Sequence, residues 1–150
     1  MKILIGTDGS EFSKAAALES CKYFTPETAE ILIASSYEDA APIAAEPFAI
    51  SAEYYQKLED AVREQAEDFV KETERDVRAK FPGAELKLGT RVLCGPPDQQ
   101  IIELAREWGA DLIVVGSHGR GFWGRLLGSV STGVVHHAPC SVLVVRKAEK

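Results

Sequence analysis

Residues 111–130 read DLIVVGSHGRGFWGRLLGSV, and they decide the fold. Leu112, Ile113, Val114 and Val115 form a continuous apolar run, which is what a parallel strand covered on both faces requires. Gly116 and Gly119 let the backbone turn tightly and come close to another molecule. Gly128-Ser129 stands where an apolar helical pattern begins. A helix start presents unpaired N–H groups and a partial positive charge, a setting suited to a phosphate. The stretch therefore predicts strand, glycine loop and helix, with a nucleotide phosphate site at their junction.

Working outward, the flanking segments repeat the same alternation. Lys2–Thr7 is a first strand, and Asp8-Gly9-Ser10 a turn in which the Ser10 oxygen caps a helix reaching about Tyr23. Pro26 closes that helix at the latest. Ala29–Ser36 is a second strand. Asp39–Ile50 holds two prolines and reads as a long loop. Ser51–Phe81 is the longest helical pattern, with Tyr55, Leu58, Val62, Ala66, Phe69, Thr73 and Val77 on one face. Its other face carries Glu53/Lys57, Glu59/Arg63, Glu67/Lys71 and Glu74/Arg78, each pair adding about 0.2–0.5 kcal/mol. Glu85–Leu93 alternates weakly, as an edge strand does. Gln99–Trp108 is a helix capped by Gly109. After the opening stretch, a helix from Ser129 runs to His137, and Ser141–Arg146 is a fifth strand.

Strands alternating with helices predict a doubly wound parallel α/β sheet over one domain, residues 1–150. Ligands of such sheets bind beyond the carboxyl ends of the strands, where strand order reverses. If strands one and four are neighbours, Asp8 and Gly116 face one crevice.

Composition narrows the function. A net charge of −6 disfavours non-specific binding to nucleic acid or to an anionic membrane. No apolar run approaches the roughly 20 residues of a membrane helix. The opening MKILIGTDGS is too short an apolar run for a secretory leader. Cys21, Cys94 and Cys140 are far apart and odd in number, which fits reduced thiols in a cytoplasm. No Ser-His-Asp set with a nucleophile elbow, no lysine after the loop and no paired carboxylates are evident, so ATP hydrolysis is expected to be slow or absent. His136 and His137 lie on different helix faces and lack partners at metal-ligand spacing. His118, Arg120, Phe122, Trp123 and Arg125 belong to the glycine loop and read as its packing or its phosphate-screening groups.

The pieces ILIGTDGS, CGPPDQQIIELAREWGADLIVVGSHGRG and LLGSVSTGVVHHAPCSVLVVR together resemble the universal stress protein family over essentially the whole chain. The resemblance implies a sheet of order 3-2-1-4-5 and a cytoplasmic homodimer paired through the fifth strand, Ser141–Arg146. In one branch it implies ATP in the crevice. That branch spaces glycine, two residues, glycine, nine residues, then glycine with serine or threonine. Here only eight residues, Arg120 to Leu127, separate Gly119 from Gly128. Either the loop relaxes and the site survives, or the helix start shifts and the pocket distorts. Survival is the expectation, because the main-chain donors and both end glycines remain.

Carried over residue by residue, the resemblance implies that Thr7 and Asp8 border the adenosine, with Asp8 facing ribose or a phosphate-bound metal. Ser35 would meet adenine through its main chain, at a position where the family usually has an apolar residue. Val115 and Gly116 would lie against the nucleoside. Gly119, Gly128, Ser129, Val130 and Ser131 would hold the phosphates of ATP, ADP or AMP. Mg²⁺ or Mn²⁺ would be bound mainly through those phosphates. Three functions follow: a nucleotide-binding switch, a nucleotide-free dimeric interaction module, or a slow ATP hydrolase.

Overall fold

The computed structural model describes residues 1–39, 51–119 and 127–147. The Asp39–Ile50 loop beyond Asp39, the loop residues Arg120, Phe122, Trp123 and Arg125, and the last three residues lie outside the described residues.

The elements run β1 (Lys2–Gly6), α1 (Glu11–Ser20), β2 (Glu30–Tyr37), α2 (Ala52–Ala79), β3 (Lys87–Cys94), α3 (Pro97–Trp108), β4 (Leu112–Gly116), α4 (Ser129–His137) and β5 (Ser141–Val145). The five strands form one parallel sheet of order β3-β2-β1-β4-β5. Strand order reverses between β1 and β4, so the expected crevice exists.

Alternation along each strand divides the core in two. Ile3, Ile5, Ile31, Ile33 and Val114 pack with Ala16 and Ala17 of α1 and with Val70 and Val77 of α2. Leu4, Leu32, Ala34, Ile113 and Val115 pack with Ile101, Leu104 and Ala105 of α3 and with Val134 of α4. Both faces are covered, which is why the central strands read as unbroken apolar runs. Among the described residues, no helix is long and apolar enough to cross a membrane.

Several features depart from expectation. Helix α1 stops at Ser20 rather than Tyr23: Lys22 and Tyr23 make i−3 bonds to Glu19 and Ser20, and the chain turns off the helix to bury Phe24. Helix α3 starts two residues early because Pro97 is preorganised for a first helical position. In α2 the apolar stripe is buried only from Ala66 onward, through Val70, Thr73 and Val77. At 28 residues the helix is roughly 42 Å long and outruns the strands it covers. Leu58 is consequently exposed, while Tyr55, Val62 and Phe69 are half-buried. On its outer face, Lys57–Glu53, Lys71–Glu67 and Arg78–Glu74 pair as expected. Arg63 instead reaches Asp60, at 3.6 Å.

Candidate functional site

The crevice is built where β1 ends. Thr7 donates its N–H to Ala34 at 2.9 Å, the last backbone bond joining β1 to β2. The chain then turns through Gly9, whose φ of +72° favours glycine. Ser10 N–H donates to Asp8 Oδ1 at 3.0 Å, and Ser10 Oγ accepts from Ser13 N–H at 3.2 Å, capping α1 as expected. Beneath the turn, Thr7 Oγ1 lies 3.2 Å from Ser13 Oγ and accepts from Thr73 Oγ1 at 3.1 Å. These buried hydroxyls tie β1, α1 and α2 together under the crevice.

The opposite wall comes from β4 and α4. Ser117 C=O accepts from Gly128 N–H at 2.8 Å and from Ser131 Oγ at 3.1 Å, so the two ends of the glycine loop are fastened to each other. Despite the shorter loop, α4 begins at Ser129 with Gly128 as its cap. Gly128 supplies no capping side chain, and the first helical N–H bond is Thr132 to Gly128 at 2.9 Å. The N–H groups of Ser129, Val130 and Ser131 therefore precede any helical acceptor. The Ser131 hydroxyl also donates to Gly128 C=O at 3.0 Å, so its hydrogen serves the loop.

Between these walls lies a cavity of about 500 Å³, within the range of small-ligand sites. Thr7, Asp8, Ser35, Val115, Gly116, Gly119, Gly128, Ser129, Val130 and Ser131 all line it. Phe69, Pro97, Ile101, Ser13 and Ser36 line it as well, and sequence reasoning had not placed them there. Phe69 read as one more core position of α2. The signal that could have exposed it is Gly9: a Cβ there would lie 2.3 Å from the Phe69 ring.

Glycines set the walls. A Cβ on Gly119 would come within 2.8 Å of Asp8 Oδ2, so the loop rests against that carboxylate. Asp8 thus both holds the turn, through Oδ1, and faces the loop, through Oδ2. His118 Nδ1 lies 2.9 Å from Ser117 Oγ, and its ring packs 5.4 Å from Phe12; it braces the loop. His137 Nδ1 is taken up by Gly133 C=O at 3.0 Å. Among the described residues, no group of His, Cys, Asp or Glu is placed to hold a metal on its own.

Strand parity adds a main-chain feature. In a parallel ladder the N–H and C=O of one residue point to the same side, and successive residues alternate. Ala34 bonds toward β1 and Tyr37 toward β3, through Thr7 N–H and Gly95 N–H respectively. Ser36 therefore directs its N–H and C=O toward the β1 side, at a level where β1 has already ended at Gly6. Ser35 directs its own main chain toward β3. The Ser36 hydroxyl donates to Gly95 C=O at 2.6 Å.

Comparison with known proteins agrees with this architecture. The model of the universal stress protein family matches residues 1–146. A universal stress protein of Methanocaldococcus jannaschii is 35% identical over 99% of this chain and 84% of its own length. Among solved structures, UspA of Lactobacillus plantarum is similar with a TM-score of 0.79 and 28% identity, covering 97% of both chains. A universal stress protein solved in complex with cAMP is similar with a TM-score of 0.66 and 25% identity, covering 99% of this chain and 98% of that one.

Proposed function

The chain belongs to the universal stress protein family, and from that premise we propose that it binds an adenine nucleotide in the crevice at the ends of β1 and β4. Bound nucleotide acts as a switch ligand for a stress response rather than as the substrate of a fast enzyme.

The observation that carries this reading is one cavity with complementary ends. At one end stand the uncapped N–H groups of Ser129, Val130 and Ser131, donors suited to phosphate oxygens. At the other end stands the Ser36 main chain. Its N–H matches adenine N1 and its C=O matches the N6 amino group. Guanine presents the reverse pattern, a donor at N1 and an acceptor at O6. Apolar Val115, Ile101 and Pro97 also line the cavity and suit a flat base. A relative solved with cAMP supports the adenosine half of the assignment.

ATP, ADP and AMP all present this adenosine. For ATP, Mg²⁺ or Mn²⁺ would come bound through the phosphates, and Asp8 is the carboxylate that would face it. The described cavity lining holds no lysine, and His118 Nδ1 lies 2.9 Å from Ser117 Oγ. A turnover of about 1 per second or faster would contradict the switch role. The protein acts as a homodimer paired through β5, whose outer side is an open strand edge. Its thiols, all free, fit a reducing cytoplasm.

The direct test is to purify the protein, denature it, and identify any released small molecule by absorbance and mass. Adenine nucleotide at near-stoichiometric yield is expected. No nucleotide released, together with no binding of added ATP or AMP, would leave the nucleotide-free interaction module as the function.

A further inference from the structure

We propose that Ser35 makes this cavity selective for ribose over 2′-deoxyribose, an inference that rests on the adenine-nucleotide reading above. Alternation along β2 sends Ile31 and Ile33 into the core under α1 and α2, and Leu32 and Ala34 into the core under α3 and α4. Ser35 consequently projects to the α1/α2 side, beside Thr7, Ser13 and Phe69, and all four line the cavity.

The hydroxyls around it are already spent on the protein. Thr7 Oγ1 meets Ser13, Thr73 and the Gly9 N–H. Ser13 Oγ donates to Ser10 C=O at 3.0 Å. Ser35 is only 2% exposed as a residue, but it lines the cavity and its hydroxyl is not an enclosed orphan atom. Among the described residues no hydrogen bond ties that hydroxyl to the protein, so it is open to a polar group that enters the cavity.

Position identifies that group. The base edge is read at Ser36 and the phosphates at α4, so the sugar between them lies over the end of β1. Ser35 adjoins the base-reading residue, and the ribose hydroxyl nearest the base is the 2′-OH. Phe69 offers an aromatic wall on the same side, onto which the apolar face of the sugar packs. A hydroxyl on one side and an aromatic ring on the other form the combination that a furanose requires.

The experiment is calorimetric titration of the full chain with ATP and with 2′-deoxy-ATP, both with Mg²⁺. Wild type is expected to prefer ATP by about tenfold, the scale of one neutral hydrogen bond. Ser35→Ala should bring the ratio close to one by weakening ATP while leaving 2′-deoxy-ATP unchanged. Ser35→Thr, which keeps the hydroxyl, should retain the preference and guards against a variant that folds poorly. Equal affinities in wild type, or an unchanged ratio in Ser35→Ala, would overturn the inference while leaving nucleotide binding intact. Failure of both ligands to bind wild type would instead remove the functional reading itself.

Discussion

Gly116 sits against the backbone of Phe12: a Cβ added to it would lie 2.8 Å from the Phe12 carbonyl carbon and 2.9 Å from the Ser13 nitrogen. The end of β4 is pressed onto the first turn of α1, and a main chain cannot rotate aside as a side chain could. Gly116→Ala is therefore expected to lower folding stability by about 1–3 kcal/mol, and to move the Asp8–Ser13 turn with it. Urea denaturation measures the first effect. An alanine variant as stable as wild type would mean that the contact relaxes without cost.

The hydroxyl bond from Thr73 to Thr7 makes α2 part of the site's foundation. Thr73 is fully buried, and its single hydroxyl hydrogen is shared between Phe69 C=O at 2.8 Å and Thr7 Oγ1 at 3.1 Å. Thr73→Val keeps the shape and removes the donor. Thr7 retains Ser13 at 3.2 Å, so the expected loss is about 1 kcal/mol. It should appear as a lower urea midpoint at an unchanged slope. A loss above about 3 kcal/mol would show that the hydroxyls act as one network rather than as separate pairs.

These two residues show where sequence reasoning reached and where it stopped. Local chemistry was legible. Gly128-Ser129 marked the start of α4, Ser10 marked a cap, and the apolar run 112–115 marked a strand buried on both sides. Those features depend on residues within a few positions of each other. Gly116 was legible as a close approach, but not what it approaches, because Phe12 is distant in sequence. Phe69 read as core because periodicity gives a helix face without saying whether sheet or cavity lies opposite. Ser36 could not be singled out, since its free main chain exists only because β1 stops at Gly6 while β2 continues to Tyr37. The early end of α1 was hidden for a similar reason: the burial of Phe24, a tertiary event, decides it.

The three thiols should separate by reactivity. Cys94 is exposed, whereas Cys21 and Cys140 are half-buried. Burial pushes the Cys21 and Cys140 thiols above the usual range, and the nearby Asp111 carboxylate adds to the effect at Cys140. A raised value means the folded protein keeps a proton that the unfolded chain has released. Stability from these two groups is thus fully present below the ordinary thiol value and is lost as pH rises through the folded ones. With a thiol reagent at pH 8, peptide mapping should show Cys94 modified first and the other two only slowly. Labelling of Cys21 at the rate of Cys94 would contradict the burial argument.

The open side of β5 carries the dimer prediction. Val145 C=O accepts from Ser117 N–H, so Val145 bonds inward, toward β4, and by parity Val144 directs its N–H outward. Val144→Pro deletes that outward donor without removing a β4–β5 bond, a substitution an edge strand accommodates. Light scattering should then report a monomer where wild type is expected to be a dimer, with helix content unchanged by circular dichroism. A proline variant that still dimerises would place the interface on another surface.

Asp8 should govern how nucleotide affinity depends on a divalent cation. Among the described lining residues it is the only carboxylate. Its Oδ2 faces Gly119, on the path between sugar and phosphates. At an effective dielectric of about 20, two like charges roughly 5 Å apart repel by about 3 kcal/mol. Free ATP should therefore bind weakly, and Mg²⁺ should raise its affinity by tenfold or more by placing a cation between the phosphates and this carboxylate. Asp8→Asn removes the repulsion and also the cation's partner. The variant should bind metal-free ATP more tightly than wild type and gain little from Mg²⁺. Oδ1 also holds the Ser10 N–H, a bond the asparagine oxygen can still accept, so the turn should persist. Titrations of both proteins with ATP, in EDTA and in Mg²⁺, give the four affinities needed. If the Mg²⁺ gain is the same in both, Asp8 serves only the turn and the cation is held elsewhere.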